Sequence, residues 1–462
     1  MSTRAEPLPP VAGTPAESRT QLMLQGPLLP TLLRLAMPNV VGLFAMTVVI
    51  GYDGYIIGRL GADALAGVAL VFPLSMLMMQ MAGGGIGGAV TAAVARTLGA
   101  GRSEEAGRLA QQSMLIACVL AAAFTAILLG FGRGIFAAMG GRGAALEAAV
   151  SYANVLFSGA LVIWATYVLG AVVRGAGNML LPALMLVLTA VIHLVLCPLL
   201  VFGWGPMPGL GVAGAAASLF VANGAAAAAL AWHLMRPGAA ARLNGSRWRL
   251  QPALLRDILR VGIPASMSPI VSNGSIAVAT AFVGGYGTAA LAGYGVAVRL
   301  EYILVPIAFG FGTALTAIVA TNMGAGNPAR AHRAAWLGSG IVAGVTGVIG
   351  LTAAIAPALW MNLFTQDPAV RAFGASYLQI VGAFYGLYGF GLALFFASQG
   401  AGRMFWSLAG SVARLVIVAM GGWICLHVLQ TPASGFFGVV AVSLAVYGLT
   451  IAAAIRLGSW TR

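Results

Sequence analysis

One apolar stretch carries two side chains that are capable of acid–base chemistry or metal binding. The segment AVIHLVLCPLLVFG, residues 190–203, places His193 four residues before Cys197, which directly precedes Pro198. Side chains four residues apart lie on the same face of a helix, so the pair is compatible with a metal site, a proton relay or ordinary packing. Two ligands do not complete a tetrahedral metal site, and we therefore predict no metal.

Two carboxylates, Asp53 and Glu301, lie inside apolar segments. A carboxylate within a bilayer binds a cation in one state and releases it in another, because burial makes its charge costly. Both are therefore candidates for cation coupling. Arg299 precedes Glu301 by two residues, so these two side chains point apart on a helix. Arg414 is a candidate partner from another helix, which leaves a structural role for Glu301 open.

The composition is that of a polytopic membrane protein. Sixty per cent of the 462 residues are hydrophobic and 7% are charged, which is more apolar surface than a soluble core of this size hides. Breaks at glycine, proline and charged residues predict an all-α fold with about twelve transmembrane helices. The predicted spans are 29–55, 62–92, 107–132, 146–171, 179–203, 211–235, 255–284, 288–316, 333–360, 371–398, 405–430 and 435–458.

The net charge of +14 comes from arginines that are unevenly distributed between the two sides of the predicted membrane. Eighteen arginines fall in the tails and in the loops on the side of the termini, and four fall in the opposite loops. Cytoplasmic loops carry such an excess of basic residues, so both termini are predicted to be cytoplasmic and no nucleic-acid binding is expected. The three cysteines lie in three separate apolar segments and offer no disulfide framework.

The two halves of the chain resemble each other at an offset of about 225 residues. TAAVARTLGAG from Thr91 matches TAIVATNMGAG from Thr316, and RGAGNM from Arg174 matches QGAGRM from Gln399. Each half has six spans in the same orientation, a duplication that occurs in transporters with a binding site between two lobes.

The predicted organisation follows from this repeat. The Gly-Ala-Gly segments at 99–101 and 324–326 are predicted to end long helices. The polar segment with Trp248 is predicted to lie on the inner leaflet. The predicted domains are a flexible cytoplasmic tail at 1–28, an N-lobe at 29–235, a cytoplasmic connector at 236–254 and a C-lobe at 255–462.

The repeated segments resemble the MATE family of multidrug and toxic compound extrusion transporters over nearly the whole chain after residue 29. The similarity is strongest in YDGYIIGRLG (52–61), RGAGN (174–178), GYGVAVRLE (293–301) and GTALTAIVATNMGAGN (312–327). The resemblance implies two six-helix lobes related by pseudo-twofold symmetry, a central cavity, and export of cationic or amphipathic drugs in exchange for H⁺ or Na⁺. A flippase for lipid-linked cell-wall or polysaccharide precursors is the alternative.

Asp53 matches the aspartate of the family's first helix. The family's Asn-x-x-x-Asp-Pro pattern in the fifth span reads His193, Cys197 and Pro198 here, and the small polar residue of the sixth span is replaced by Leu219. Na⁺ prefers several hard oxygen ligands, for which imidazole and thiol are poor substitutes. An imidazole beside a carboxylate shares a proton near neutral pH. We therefore predict H⁺ rather than Na⁺ as the coupling ion.

Substrate recognition is predicted to use the carboxylates for charge and aromatic side chains for shape. No nucleophile–base set or metal cluster is visible in the sequence, so no enzymatic activity and no cofactor are predicted. The expected partners are a small molecule, the coupling ion and the lipid of a cell inner membrane, with the protein as a monomer. The residues predicted to line the cavity are Asn39, Tyr52, Trp164, Tyr167, Asn273, Tyr294 and Phe395.

Overall fold

The computed structural model describes residues 15–243 and 250–460, and the first half of the chain folds into helices. A bilayer offers no water to backbone groups, so apolar segments satisfy their own N–H and C=O groups as helices. A π-helical turn at Met81–Ile86 joins α3 to α4, and β1 (Gly203–Trp204) pairs with β2 (Met207–Pro208) between α8 and α9. The helices are α1 (Pro15–Gln25), α2 (Leu28–Gly58), α3 (Ala62–Gln80), α4 (Gly87–Gly99), α5 (Ser103–Ala138), α6 (Gly143–Ser158), α7 (Ala160–Gly175), α8 (Leu180–Phe202) and α9 (Val212–Met235).

The second half is built in the same way. A 3₁₀ turn at Gly382–Phe384 joins α15 to α16, and a π-helical turn at Ile424–Val428 follows α17. The helices are α10 (Pro252–Gly284), α11 (Thr288–Ala297), α12 (Arg299–Gly324), α13 (Pro328–Ile355), α14 (Ala358–Met361), α15 (Pro368–Val381), α16 (Tyr385–Ala401), α17 (Phe405–Trp423) and α18 (Ala433–Arg456).

Twelve membrane spans can be assigned among the described residues. Eleven helical segments are long and apolar enough to cross a membrane, and the pair α6 and α7, bent by 48°, supplies the twelfth. Several spans combine consecutive helices: α3 continues through its π-helical turn into α4, and α11 continues into α12. The prediction of an all-α polytopic protein with about twelve spans is confirmed.

The internal repeat is visible in individual hydrogen bonds. Thr91 Oγ1 donates to the carbonyl oxygen of Ala171 at 3.0 Å, which ties α4 to α7. Thr316 Oγ1 donates to the carbonyl oxygen of Phe396 at 2.9 Å, which ties α12 to α16. Both partners of the second bond stand 225 positions after those of the first. The two halves therefore share the same internal packing.

The two Gly-Ala-Gly segments meet at the interface between the halves. A Cβ atom on Gly99 would collide with the backbone of Thr321, and a Cβ atom on Gly324 would collide with the backbone of Arg96. Positions 99 and 324 are equivalent in the repeat, as are 96 and 321. These reciprocal contacts place a pseudo-twofold axis between the ends of α4 and α12.

The last glycine of each segment has the left-handed conformation that ends a helix. The backbone φ angle is 75° at Gly101 and 71° at Gly326. The N–H of Gly101 bonds to the carbonyl oxygen of Leu98, and the N–H of Gly326 bonds to that of Met323. The predicted helix ends are confirmed, because glycine adopts this conformation without a steric penalty.

Contacts between the halves run from this arginine-rich end toward the middle of the spans. Arg96 on α4 donates to the carbonyl oxygen of Gly400 on α16 at 3.1 Å. Gln399 Nε2 donates to the carbonyl oxygen of Gly84, in the first π-helical turn, at 2.8 Å. The halves are therefore joined by polar contacts as well as by close backbone packing.

Part of the predicted tail is an ordered helix. Met23 on α1 is buried, and its carbonyl oxygen accepts hydrogen bonds from Asn322 at 3.1 Å and from Arg330 at 3.3 Å. The expectation of a flexible tail is wrong for Pro15–Gln25, because this apolar side chain packs against α12. Residues 1–14 of the tail and Trp248 of the predicted connector lie outside the described residues.

Candidate functional site

Asp53 and His193 form the centre of the candidate site. Packing of α2 against α8 brings the two residues together although 140 positions separate them. His193 Nε2 lies 2.6 Å from Asp53 Oδ1. The His193 side chain is fully buried, whereas 17% of the Asp53 side chain is exposed. Two of the three predicted coupling residues are thus in direct contact, and the carboxylate is the one with exposed surface.

Ser218 on α9 contacts the second ring nitrogen of His193. Its Oγ lies 2.7 Å from the carbonyl oxygen of Ala215 and 2.8 Å from Nδ1 of His193. A hydroxyl has a single proton, so both contacts are hydrogen bonds only when Ser218 donates to Ala215 and accepts from a protonated Nδ1. Nε2 and Oδ1 then require another proton between them, because two lone pairs at 2.6 Å repel. Loss of that proton makes the Ser218 hydroxyl turn toward Nδ1, so that Nε2 can donate to Asp53.

Cys197, one helical turn after His193, also faces the carboxylate. Its Sγ lies 3.7 Å from Asp53 Oδ1, a contact of weak hydrogen-bond length. The prediction of no metal counted His193 and Cys197 as the only two ligands, whereas Asp53 adds a third. Tyr52, a half-buried predicted cavity residue, interacts electrostatically with both Asp53 and Cys197.

A hydroxyl of the sixth span that the sequence analysis did not single out belongs to Ser218. Leu219 was expected to mark the loss of a polar side chain at this position, yet Ser218 provides one immediately before it. Leu219 is instead a buried apolar residue. The serine directly after GVAGAAA was the available signal, but only the packing of α9 on α8 shows that it points at His193.

Glu301, the third predicted coupling residue, lies in a separate buried network in the second half. Tyr377 donates to Glu301 Oε1 at 2.5 Å, and Tyr385 lies 3.5 Å from the same oxygen. Arg414 Nη2 is 4.0 Å from Oε2, which confirms the predicted partner, and its guanidinium stands 5.0 Å from the ring of Tyr388. The sequence did not predict that these two tyrosine hydroxyls contact Glu301, because α15 and α16 lie far from Glu301 along the chain.

Two of the predicted cavity residues lie at the interface between the halves. Asn39 on α2 is buried, and its Nδ2 donates to Thr313 Oγ1 on α12 at 3.0 Å. Asn273 on α10 is exposed, and its Nδ2 lies 3.5 Å from Gln80 Oε1 on α3. Both amides bridge the halves near the middle of the spans, where a substrate between the lobes would meet them.

The remaining predicted cavity residues take part in packing. Trp164 is fully buried, Tyr294 stands edge-on to Tyr377 at 5.2 Å, and Phe395 is buried with its ring edge-on to Phe396 at 5.3 Å. Tyr167 is half-buried, with its ring against Gly83 of the first π-helical turn. In this conformation Trp164, Tyr294 and Phe395 present no open surface, because neighbouring helices cover their rings.

The sequence was then compared with known proteins. The sequence profile of the MatE family matches residues 38–199 and 264–424, one block in each half and together well over half of the chain. The chain belongs to the MatE family. Its apolar helices are those of a multi-pass membrane protein. The MatE family is a family of transporters.

Similar proteins agree with this assignment. The chain is 27% identical to the "FAD transporter" of Shewanella oneidensis, over 86% of this chain and 88% of the relative. It is 29% identical to the "Probable multidrug resistance protein NorM" of Deinococcus radiodurans, over 91% of this chain and 93% of the relative. The MATE fold is confirmed by a MOP superfamily transporter from Pyrococcus furiosus, which superimposes with a TM-score of 0.87 at 24% identity over 96% of this chain and 98% of that chain.

Proposed function

We propose that this MATE protein is a proton-coupled antiporter that exports cationic or amphipathic compounds by alternating access. The observation that carries the proposal is the contact between Asp53 and buried His193, with Ser218 at the second ring nitrogen. This network has a defined position for one additional proton and a hydroxyl that can reorient when the proton leaves.

The charge of the pair explains how proton and substrate would exclude each other. With the shared proton present, a carboxylate and an imidazolium have no net charge. Without it, the pair has one negative charge in a region of low dielectric, where it attracts an organic cation strongly. A cation and a proton then compete for the same carboxylate, and this competition is the basis of antiport. The 17% exposure of Asp53 gives both of them access.

The ligands around Asp53 favour a proton over sodium. Na⁺ is a hard cation that prefers several oxygen ligands, whereas the nearest groups of the neighbouring helix are the imidazole of His193 and the thiol of Cys197. The neutral Ser218 hydroxyl is already engaged by the imidazole and by the backbone. Glu301 has hydroxyl and guanidinium partners of its own, and we assign it a structural role.

The side of the membrane follows from the arginines. We propose that both termini are cytoplasmic, with lobes at 29–235 and 255–462 joined by the connector at 236–254. The contacts between the halves, such as Arg96 with Gly400, then close the cytoplasmic end. Asp53, near the opposite end of α2, is placed for exchange with the outer side.

Transport in everted vesicles tests this proposal. A fluorescent organic cation is offered while a pH gradient or a sodium gradient is imposed separately. We expect the pH gradient alone to drive uptake, and Asp53→Asn to abolish it. Asp63→Asn removes an exposed carboxylate at the start of α3 and is the matched control. Uptake driven by sodium alone, or uptake that survives Asp53→Asn, would refute the proposed coupling.

A flavin nucleotide is the second candidate substrate. It is favoured by the similarity to the "FAD transporter" of Shewanella oneidensis. FAD is an anion, so its export would not use the negative charge of the unprotonated pair. Adding FAD as a competitor in the same vesicles separates the two candidates, since a drug exporter should be unaffected by it.

A further inference from the structure

Three donor atoms of different chemical type converge where α2 meets α8. A carboxylate oxygen of Asp53, a ring nitrogen of His193 and the sulfur of Cys197 lie within 4.8 Å of one another. The Oδ1–Nε2 and Oδ1–Sγ distances are 2.6 Å and 3.7 Å. Within residues 15–243 and 250–460, this is the group of three such side chains that is close enough to hold one metal ion.

The donor set matches the preferences of Zn²⁺. Zinc binds imidazole nitrogen, thiolate sulfur and carboxylate oxygen, and its ligand distances imply tetrahedral edges of roughly 3.3 to 3.8 Å. The Oδ1–Sγ distance already has this length. The Oδ1–Nε2 distance must increase by about 0.7 Å to reach it, and a bound ion would favour that movement because its bonds to both atoms replace the hydrogen bond between them.

The surroundings of His193 are those of a metal ligand. A ligating histidine usually donates its second ring N–H to an oxygen, which fixes the tautomer. Ser218 Oγ, which donates to Ala215, is available at 2.8 Å to accept that hydrogen bond. Nε2 would then direct its lone pair toward Asp53 and Cys197.

Charge and access are also suitable. Zn²⁺ with one carboxylate and one thiolate has no net charge, and neither does the protonated set of carboxylate, imidazolium and thiol. The ion would thus replace two protons without leaving a buried charge. Tyr52 and Tyr152 are the other ionisable side chains that interact with Asp53 and Cys197, and phenols are uncharged near neutral pH. A water molecule would complete the tetrahedron.

We propose that Asp53, His193 and Cys197 form a binding site for Zn²⁺, and that the bound ion occupies the Asp53 carboxylate and so inhibits transport. The binding of zinc rests on the geometry of the three side chains. Its inhibitory effect also rests on the proposed proton coupling, and the two are tested separately.

Binding is tested on the purified full-length protein without any transport. Co²⁺ serves as the spectroscopic probe, because a cobalt–thiolate bond gives a charge-transfer absorption band. We expect a band that Zn²⁺ abolishes, and an apparent affinity that falls by up to about 100-fold per pH unit on acidification, since two protons compete with the ion. Cys197→Ala should remove the band, whereas Cys118→Ala, at an exposed free cysteine, should keep it. Cys197→Ser gives the same test if the alanine variant does not insert.

Transport supplies the second measurement. Zn²⁺ should inhibit cation uptake driven by a pH gradient, and Cys197→Ala, with uptake expressed relative to its own zinc-free rate, should require at least about tenfold more zinc for inhibition. No charge-transfer band in the wild type, or a band and zinc inhibition that persist in Cys197→Ala, would overturn the zinc site. A zinc-sensitive band together with uptake driven only by sodium would instead refute the proton coupling and leave the site standing.

Discussion

In the proposed mechanism, Ser218 adjusts the proton affinity of the Asp53–His193 pair. It accepts from an imidazolium when the pair is protonated and donates to a neutral ring when the proton has left. Hydrogen bonds to charged groups are the stronger of the two kinds, by about 1 kcal/mol. Ser218 therefore stabilises the protonated state.

Replacing Ser218 should therefore lower the proton affinity of the Asp53–His193 pair. We expect Ser218→Ala to move the pH of half-maximal transport toward acid by roughly 0.7 units, the equivalent of 1 kcal/mol. The pH profile of uptake in vesicles measures this shift. Ser443→Ala is the matched control, since Ser443 also donates to the carbonyl oxygen three residues earlier but contacts no histidine. Equal profiles for the two variants would assign Ser218 to packing alone.

Glu301 and Arg414 make a second residue-scale prediction. Removing one member of a buried ion pair leaves an uncompensated charge, which costs about 3–5 kcal/mol. Glu301→Gln and Arg414→Leu should therefore each lower the thermal melting temperature of the purified protein. The double variant should recover much of the loss, because the two changes are coupled through one contact.

The same variants distinguish a structural from a coupling role for Glu301. If Glu301 only stabilises the second half, the double variant still transports in response to a pH gradient. A double variant that melts like the wild type but does not respond to the gradient would place Glu301 in the coupling mechanism.

At the scale of the elements, the hydropathy of the sequence predicted most of the fold, because a bilayer forces apolar segments into helices. It did not predict α1, since the contacts that bury Met23 include α12, which follows nearly 300 residues later. Nor did it predict the π-helical turn at Met81–Ile86, where Gln399 of the other half bonds to the carbonyl oxygens of Gly84 and Gly85.

The candidate site could likewise be predicted only in part from the sequence. Helical spacing placed His193 and Cys197 on one face, and the family resemblance placed Asp53 nearby, so the centre of the site was predictable. The partners from other helices were not, because a helix with apolar residues on all sides gives no sign of which face meets its neighbour. The contact between Ser218 and His193 was therefore not predicted.

At the scale of the whole molecule, the pseudo-twofold axis passes through the end at which α4 and α12 pack against each other. Gly99 and Gly324 allow α4 and α12 to touch through their backbones, and Ala320 is buried beside Ala92 and Ala95 at the same interface. In the proposed alternating-access cycle, these contacts break and re-form. Small residues suit this purpose, because close backbone packing is specific in geometry but involves few side-chain atoms.

A methyl group at position 324 should therefore shift the balance between the closed and open states. We expect Gly324→Ala to weaken closure by about 1–3 kcal/mol, the usual cost of overpacking. Ala320→Cys reports the shift, in a chain whose exposed Cys118 is replaced. A membrane-impermeant maleimide added from the side of the termini should label it about tenfold faster with Gly324→Ala, since 1.4 kcal/mol is tenfold in population. Gly340→Ala is the control, because a Cβ atom there meets no neighbour within 4 Å. If both variants were labelled at the wild-type rate while remaining folded, the glycine contact would not control this end of the molecule.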